Sequence, residues 1–163
     1  VWGRVGTDDG RLHVHIPELV DELRGLAHEA PLVSDEWPLV LSAGERRSFT
    51  ANTIIRDSTW RKRDADGALR VNAADATAAG VHDGGLAVIT TPRGSAQVLV
   101  EISPMMQPGH VSLPNGMGLD QPTPDGAPRA GVAPNELTSG ADRDWIAGTP
   151  WHKSVPARLS PVG

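Results

Sequence analysis

Glycine and proline divide this chain into short segments, and this feature constrains its fold more than any other. The 163 residues include 18 Gly and 14 Pro, which is too many for a helical bundle with long uninterrupted helices. The segments between them run to about five to nine residues, the usual length of β-strands. With 39% hydrophobic residues, the chain can still form a core. The sequence therefore predicts one mainly β domain with few helices, a small mixed barrel.

Six segments beyond residue 35 have the strand pattern and are predicted to form this barrel. One short helix is predicted between them, from Ala73 to Ala79. Asn72 suits its N-cap, Asp75 stands where a capping box would place it, and Gly80 suits the left-handed position after the last turn. The predicted strands are 38–42, 68–71, 86–91, 95–103, 110–113 and 155–162.

The first 35 residues have a different pattern and are predicted to lead into the barrel. Residues 11–16 alternate between apolar and polar side chains, which predicts a short strand. Pro17 suits the first turn of a helix, and apolar residues recur at helical spacing from Leu19 to Ala30. We therefore expect a lead-in strand and amphipathic helix at 1–35 and the barrel domain at 36–163. Because the first residue is Val rather than Met, we expect a fragment of a longer protein.

The composition excludes several classes of function. Without cysteine, this segment holds no disulfide framework, zinc finger or thiolate-bound iron–sulfur cluster. The formal net charge of −5 argues against non-specific binding to nucleic acid, which needs a basic surface. No apolar stretch approaches the ~18 residues that cross a bilayer. We expect a cytoplasmic protein with no membrane segment and no nucleic-acid partner.

Three motifs that carry chemistry in other proteins are weak here. His13 and His15 would share one strand face, but a zinc site needs a further ligand, and a solvated face is the simpler interpretation. The serines beside glycine do not form the Gly-x-Ser-x-Gly elbow of a hydrolase, and no His–carboxylate pair stands out. Gly116 and Gly118 lack the third glycine and helix of a dinucleotide fingerprint. A close approach of a ligand to the backbone at Gly116 stays open.

Two clusters are stronger candidates for binding. The first is residues 42–47, Ser-Ala-Gly-Glu-Arg-Arg, where an apolar strand ends in a glycine and paired arginines that suit an anion. The alternative for it is a solvated charged loop. The second joins residues 131–138 to residues 148–153, where Asn135 and Lys153 suit heterocycle edges and Trp151 suits stacking. The alternative for it is loop capping and surface display.

In this order, these clusters resemble the C-terminal cofactor-binding domain of the molybdopterin oxidoreductase family, which includes formate dehydrogenases and nitrate reductases. The resemblance extends over residues 36–160 and is closest to the formate-dehydrogenase-like branch. It rests on the strand and glycine loop at 38–44, the strand, helix and Asp-Gly turn at 69–84, the hairpin tip at 93–95, the segment 108–116, and the closing motifs at 135–138 and 150–153.

The resemblance implies a double-psi β-barrel of about six strands that packs on the catalytic domains of the same polypeptide. It implies binding of part of a bis-molybdopterin guanine dinucleotide with molybdenum or tungsten. It also implies that this segment alone is not catalytic, that it ligates no metal, and that any iron–sulfur cluster belongs to other domains. The implied cofactor-binding residues are Ser42, Gly44, Arg46, Arg47, Thr53, Arg56, Asn115, Gly116, Asn135 and Lys153.

The chain departs from the family just after the first strand of the barrel. Many members have Gly-Arg there, whereas Glu45 follows Gly44 in this sequence, with Arg46 and Arg47 behind it. A His-rich stretch common nearby is replaced by residues 49–52, Phe-Thr-Ala-Asn. A second hypothesis is a stand-alone double-psi barrel that serves as a protein-interaction or adaptor module, which is compatible with the acidic charge.

Overall fold

Six strands form a closed barrel in this protein. The computed structural model describes residues 3, 5–45, 66–118, 130–144 and 146–163. The strands are β1 (Leu39–Glu45), β2 (Leu69–Val71), β3 (Leu86–Thr91), β4 (Gly94–Ile102), β5 (His110–Pro114) and β6 (Val155–Pro161). Around the barrel their order is β1-β5-β2-β4-β3-β6. All six coincide with predicted strands, and the mainly β barrel with an N-terminal helix is confirmed.

The barrel mixes parallel and antiparallel neighbours. The pairs β1–β5 and β2–β4 are parallel, and the other four pairs are antiparallel. The pairing registers place the carboxyl ends of β1, β3 and β5 at the same end of the barrel as the amino ends of β2, β4 and β6. We call this end the rim. It comprises the strand ends at Glu45, Leu69, Thr91–Gly94, Pro114 and Val155 and the residues that adjoin them.

The core lies inside the barrel, where each strand contributes alternate side chains. In β1 the buried residues are Leu39, Leu41 and Ala43, while the residues between them are only partly covered. The same alternation buries Ala87, Ile89 and Thr91 in β3. Among the described residues, the largest apolar side chains that are completely buried belong to Leu41, Leu69, Ile89, Leu113 and Leu137. The two-residue periodicity of the sequence therefore corresponds to the inner and outer faces of one barrel wall.

The lead-in segment differs from its prediction in one respect. Residues 11–16 form no strand, and their apolar side chains are exposed, Val14 by 92%. A strand needs an edge to pair with, and the closed barrel offers none. The helix α1 does form, from Pro17 to Gly25 with proline in its first turn, and a short 3-10 turn continues it from Leu26 to His28.

The helix α2 (Ala73–Ala79) follows β2 and has the predicted ends. The Asn72 side chain accepts the Ala74 N–H at 2.9 Å, and Gly80 adopts a left-handed φ of 68°. The capping box predicted for Asp75 is wrong, because its Oδ2 instead accepts the Gly109 N–H at 2.7 Å. A tertiary partner thus replaces the local one, and it ties α2 to the turn that precedes β5.

No helix in the described part of the chain combines the length and apolar character that crossing a membrane requires.

Removing a buried leucine should destabilise the barrel far more than removing an exposed one. Leu113→Ala leaves a cavity in the completely buried core and should lower the free energy of unfolding by about 2–5 kcal/mol. The matched control is Leu86→Ala in β3, where the side chain is 55% exposed and the loss should stay below about 1 kcal/mol. Urea unfolding of the two variants measures both values, and equal losses would contradict the assignment of the inner face.

Candidate functional site

A bulge at Gly44 shapes the end of β1 at the rim. The strand was predicted to end at Ser42, before Ala43 and Gly44, but it continues to Glu45. Along the parallel pair with β5, Ala43 faces Leu113 and Glu45 faces Pro114, so Gly44 is an extra residue. Its φ of 82° lies in the left-handed region, which glycine enters without the penalty that a side chain incurs. Bulges of this kind redirect the strand end that follows them.

The residues after β5 pack against this bulge. The Asn115 N–H donates to the Glu45 carbonyl at 2.9 Å, and the Asn115 side-chain oxygen accepts the Gly116 N–H at 2.9 Å. A Cβ placed on Gly44 would lie 3.8 Å from Cγ of Asn115, so the Asn115 side chain occupies the space that a side chain at residue 44 would enter. We call Gly44, Glu45, Asn115 and Gly116 the cradle.

Lys153 joins the cradle from the segment that precedes β6. Its Nζ donates to the Gly44 carbonyl at 3.0 Å across a sequence separation of 109 residues. The neighbouring carbonyl of His152 accepts the Ala43 N–H at 2.7 Å, which holds this segment beside β1. The structure therefore brings together four of the residues predicted for the site, namely Gly44, Asn115, Gly116 and Lys153.

The loop before Lys153 is held closed by Asp144, a residue that the sequence analysis did not single out. Its carboxylate accepts the N–H groups of Ala147 at 2.6 Å and Thr149 at 2.7 Å. The Ala147 bond is the main reason that the pKa of Asp144 lies below its usual value of 3.8. The backbone N–H of Trp151 donates to the Asp142 carbonyl, which also closes the loop. Stacking of the Trp151 ring on a ligand stays a prediction. An aspartate ahead of a Gly-Thr-Pro turn was the available indication in the sequence.

The other predicted residues are not part of the cradle. Ser42 lies half-buried on the outer face of β1, where it pairs in register with Ser112 of β5. Asn135 is exposed on a 3-10 turn (Pro134–Glu136), and among the described residues its side chain has no hydrogen bond to the cradle. That turn lies at the rim, because the Thr91 hydroxyl donates to the Leu137 carbonyl at 2.8 Å. Four predicted residues lie outside the described ranges: Arg46, Arg47, Thr53 and Arg56.

Together, Lys153 and the cradle have chemistry that suits an anionic ligand with heterocycle edges. Lys153 supplies an ammonium group with three N–H donors, and Asn115 supplies a carboxamide. Charge-assisted hydrogen bonds from such groups are the strong ones in anion recognition. In the described ranges, no group of three His, Asp or Glu side chains is placed to hold a metal ion.

Comparison with known proteins finds a matching family and similar solved structures. A family model described as the molydopterin dinucleotide binding domain matches residues 39–156, which is more than half of the chain. Among solved structures, acetylene hydratase from Pelobacter acetylenicus is similar, with a TM-score of 0.60 and 18% sequence identity. That match covers 99% of this chain but 22% of the hydratase chain, and at this identity it shows the fold alone. A comparison with curated proteins found no match.

We call the two hydrogen bonds from Ala147 and Thr149 to the Asp144 carboxylate the clasp. The stability of this clasp should fall at acidic pH. Because the folded pKa is lowered, the stabilisation of the loop is complete above the ordinary value of 3.8 and is lost as pH falls through the lower folded value. An NMR titration of the Ala147 and Thr149 amide protons should therefore have its midpoint below 3.8. Asp144→Asn should shift both resonances at neutral pH, whereas the neighbouring Asp142→Asn should leave them in place. A midpoint at or above 3.8 would contradict the clasp.

Proposed function

Because the chain belongs to the molybdopterin dinucleotide binding domain family, we propose that it binds part of a bis-molybdopterin guanine dinucleotide in a larger molybdenum or tungsten oxidoreductase. Other domains of the same polypeptide would be the catalytic ones and would hold any iron–sulfur cluster. In such an enzyme the cofactor supplies the chemistry, and this domain supplies binding and orientation. We propose that the segment alone is not catalytic, with 1–35 as the lead-in and 36–163 as the binding domain.

The observation that carries this proposal is the meeting of Lys153 with the cradle. Three distant parts of the sequence converge there, at the end of β1, after β5 and before β6. The Lys153 ammonium donates one bond to a neutral carbonyl, and among the described residues no carboxylate forms an ion pair with it. An exposed cation beside backbone carbonyl and amide groups supports an anionic ligand such as a pyrophosphate.

The residues present fit the proposed cofactor group by group. Lys153 would hold a phosphate oxygen, and Asn115 would hydrogen-bond a pterin or guanine edge. At Gly116, where φ is positive, the absence of a side chain would let a ligand approach the backbone. Gly44 would contribute through its position beside the Asn115 side chain. Asn135 would add a second carboxamide from the 3-10 turn at the rim. We propose that Ser42, Arg46, Arg47, Thr53 and Arg56 contribute further contacts from β1 and the segment after it.

The direct experiment uses the full-length protein that contains this chain. Purified protein should contain molybdenum or tungsten and release an oxidised pterin on denaturation, measured by elemental analysis and fluorescence. Formate-dependent reduction of an electron acceptor tests the formate-dehydrogenase-like assignment separately. A folded full-length protein that holds neither metal nor pterin would overturn the proposal and favour the interaction-module hypothesis.

Single substitutions should separate binding residues from their surroundings. Lys153→Ala, Asn115→Ala and Asn135→Ala should each lower pterin retention about tenfold, which corresponds to one charge-assisted or well-placed hydrogen bond. The matched controls are Arg143→Ala, an exposed cation in the loop before Lys153, and Gln97→Ala, an exposed amide on β4. Both controls should retain the cofactor at the wild-type level. Unchanged retention in all three test variants, with unfolding midpoints near wild type, would remove these residues from the site.

A further inference from the structure

The bulge at Gly44 turns the Glu45 side chain to the outside of the barrel. In β1 the residues 39, 41 and 43 point inward, and without an extra residue the same alternation would point residue 45 inward as well. Instead, Glu45 accepts a hydrogen bond from the hydroxyl of Ser112, whose register partner in β1 is the outer-face residue Ser42. Redirecting a side chain is a known consequence of a bulge.

Glu45 thereby joins a polar row that crosses four neighbouring strands. Arg70 of β2 is the register partner of Ser112 of β5 and of Glu101 of β4. Its Nη1 lies 3.9 Å from Oε1 of Glu45, and its Nε donates to Oε1 of Glu101 at 2.9 Å. The row runs from β1 through β5 and β2 to β4. The two carboxylates therefore share one guanidinium on the outer face, Glu45 at the rim and Glu101 near the other end of β4.

The row contributes to more than the stability of the barrel wall. The side chains of Arg70, Glu45 and Glu101 are about a third exposed, and ion pairs of this kind add little to folding. Glu45 is different because both its side chain and its backbone form hydrogen bonds to β5 or the residue after it. Its carboxylate is bound to Ser112, while its backbone carbonyl accepts the Asn115 N–H. The residue that closes the row is thus the residue that holds Asn115 in the cradle.

We propose that Glu45, held by Ser112 and Arg70, is a positioning residue that sets the geometry of Asn115 and Gly116 toward the ligand. The ligand itself rests on the function proposed above, but the positioning is a property of the protein without its ligand. It follows from the contacts of Glu45 with Ser112, Arg70 and Asn115. The row holds the last residues of β1 against β5, so that the carbonyl of Glu45 can accept the N–H of Asn115.

The experiment compares three charge variants in the full-length protein, with and without cofactor. Glu45→Ala removes the acceptor and the charge, whereas Glu45→Gln keeps an acceptor for Ser112. Glu101→Gln is the matched control, because it removes the same charge beside the same Arg70 without contacting β1. Hydrogen–deuterium exchange of peptides covering residues 113–118 reports the cradle in cofactor-free protein, and pterin retention reports binding.

Glu45→Ala should speed amide exchange at Asn115 and Gly116 and lower pterin retention, each about tenfold, the equivalent of one hydrogen bond to a charged group. Glu45→Gln should recover most of both values, which a merely structural loss of charge would not allow. Glu101→Gln should change each less than about twofold. Ser112→Ala, which removes the donor and leaves both charges, should reproduce the exchange effect and serves if Glu45→Ala does not fold.

Two outcomes would overturn the positioning role. One is wild-type exchange at residues 113–118 in Glu45→Ala, and the other is an equal effect of Glu101→Gln. Failure of the proposed function is a different result, because wild-type protein would then hold no pterin. The exchange data would still decide the role of Glu45 in that case.

Discussion

Closure of the barrel through β1 is the constraint on which the rest of the structure depends. β1 pairs in parallel with β5 on one side and antiparallel with β6 on the other, so it joins the two ends of the sheet. A closed wall leaves no edge, and the backbone groups of its strands are used within the wall. Polar backbone groups become available only where strands end. A binding site made from backbone and short side chains therefore belongs at the rim.

Closure also explains why residues remote in sequence meet at the rim. The last residues of β1, the first after β5 and the last before β6 meet because these three strands are neighbours. Lys153 reaches the Gly44 carbonyl as a consequence of this order. The bulge at Gly44 then shifts the register between β1 and β5 at the rim, and the outer-face row through Arg70 holds the end of β1 in place. The candidate site thus lies where one extra residue interrupts the regular strand pairing of the barrel.

Much of the framework was predictable because its causes are local. Turn residues and two-residue alternation placed all six strands, and the caps of α2 followed from the side chain of Asn72 and the backbone freedom of Gly80. The failures share one physical reason, which is competition from distant partners. Asp75 bonds Gly109 rather than its own helix end, and residues 11–16 have strand alternation but no edge to pair with. Neither outcome is visible within a window of neighbouring residues.

The sequence by itself determined the six barrel strands, the helices α1 and α2, the mainly β class and the family resemblance, because turn chemistry, periodicity and ordered motifs act over short distances. It also named Gly44, Asn115, Gly116 and Lys153 as candidates. Only the tertiary structure decided that these four meet and that Asn135 stands apart from them on its own turn. It alone showed the outward direction of Glu45 and the clasp of Asp144. These depend on strand order, register and one extra residue in a ladder, which are set by the packing of the whole barrel.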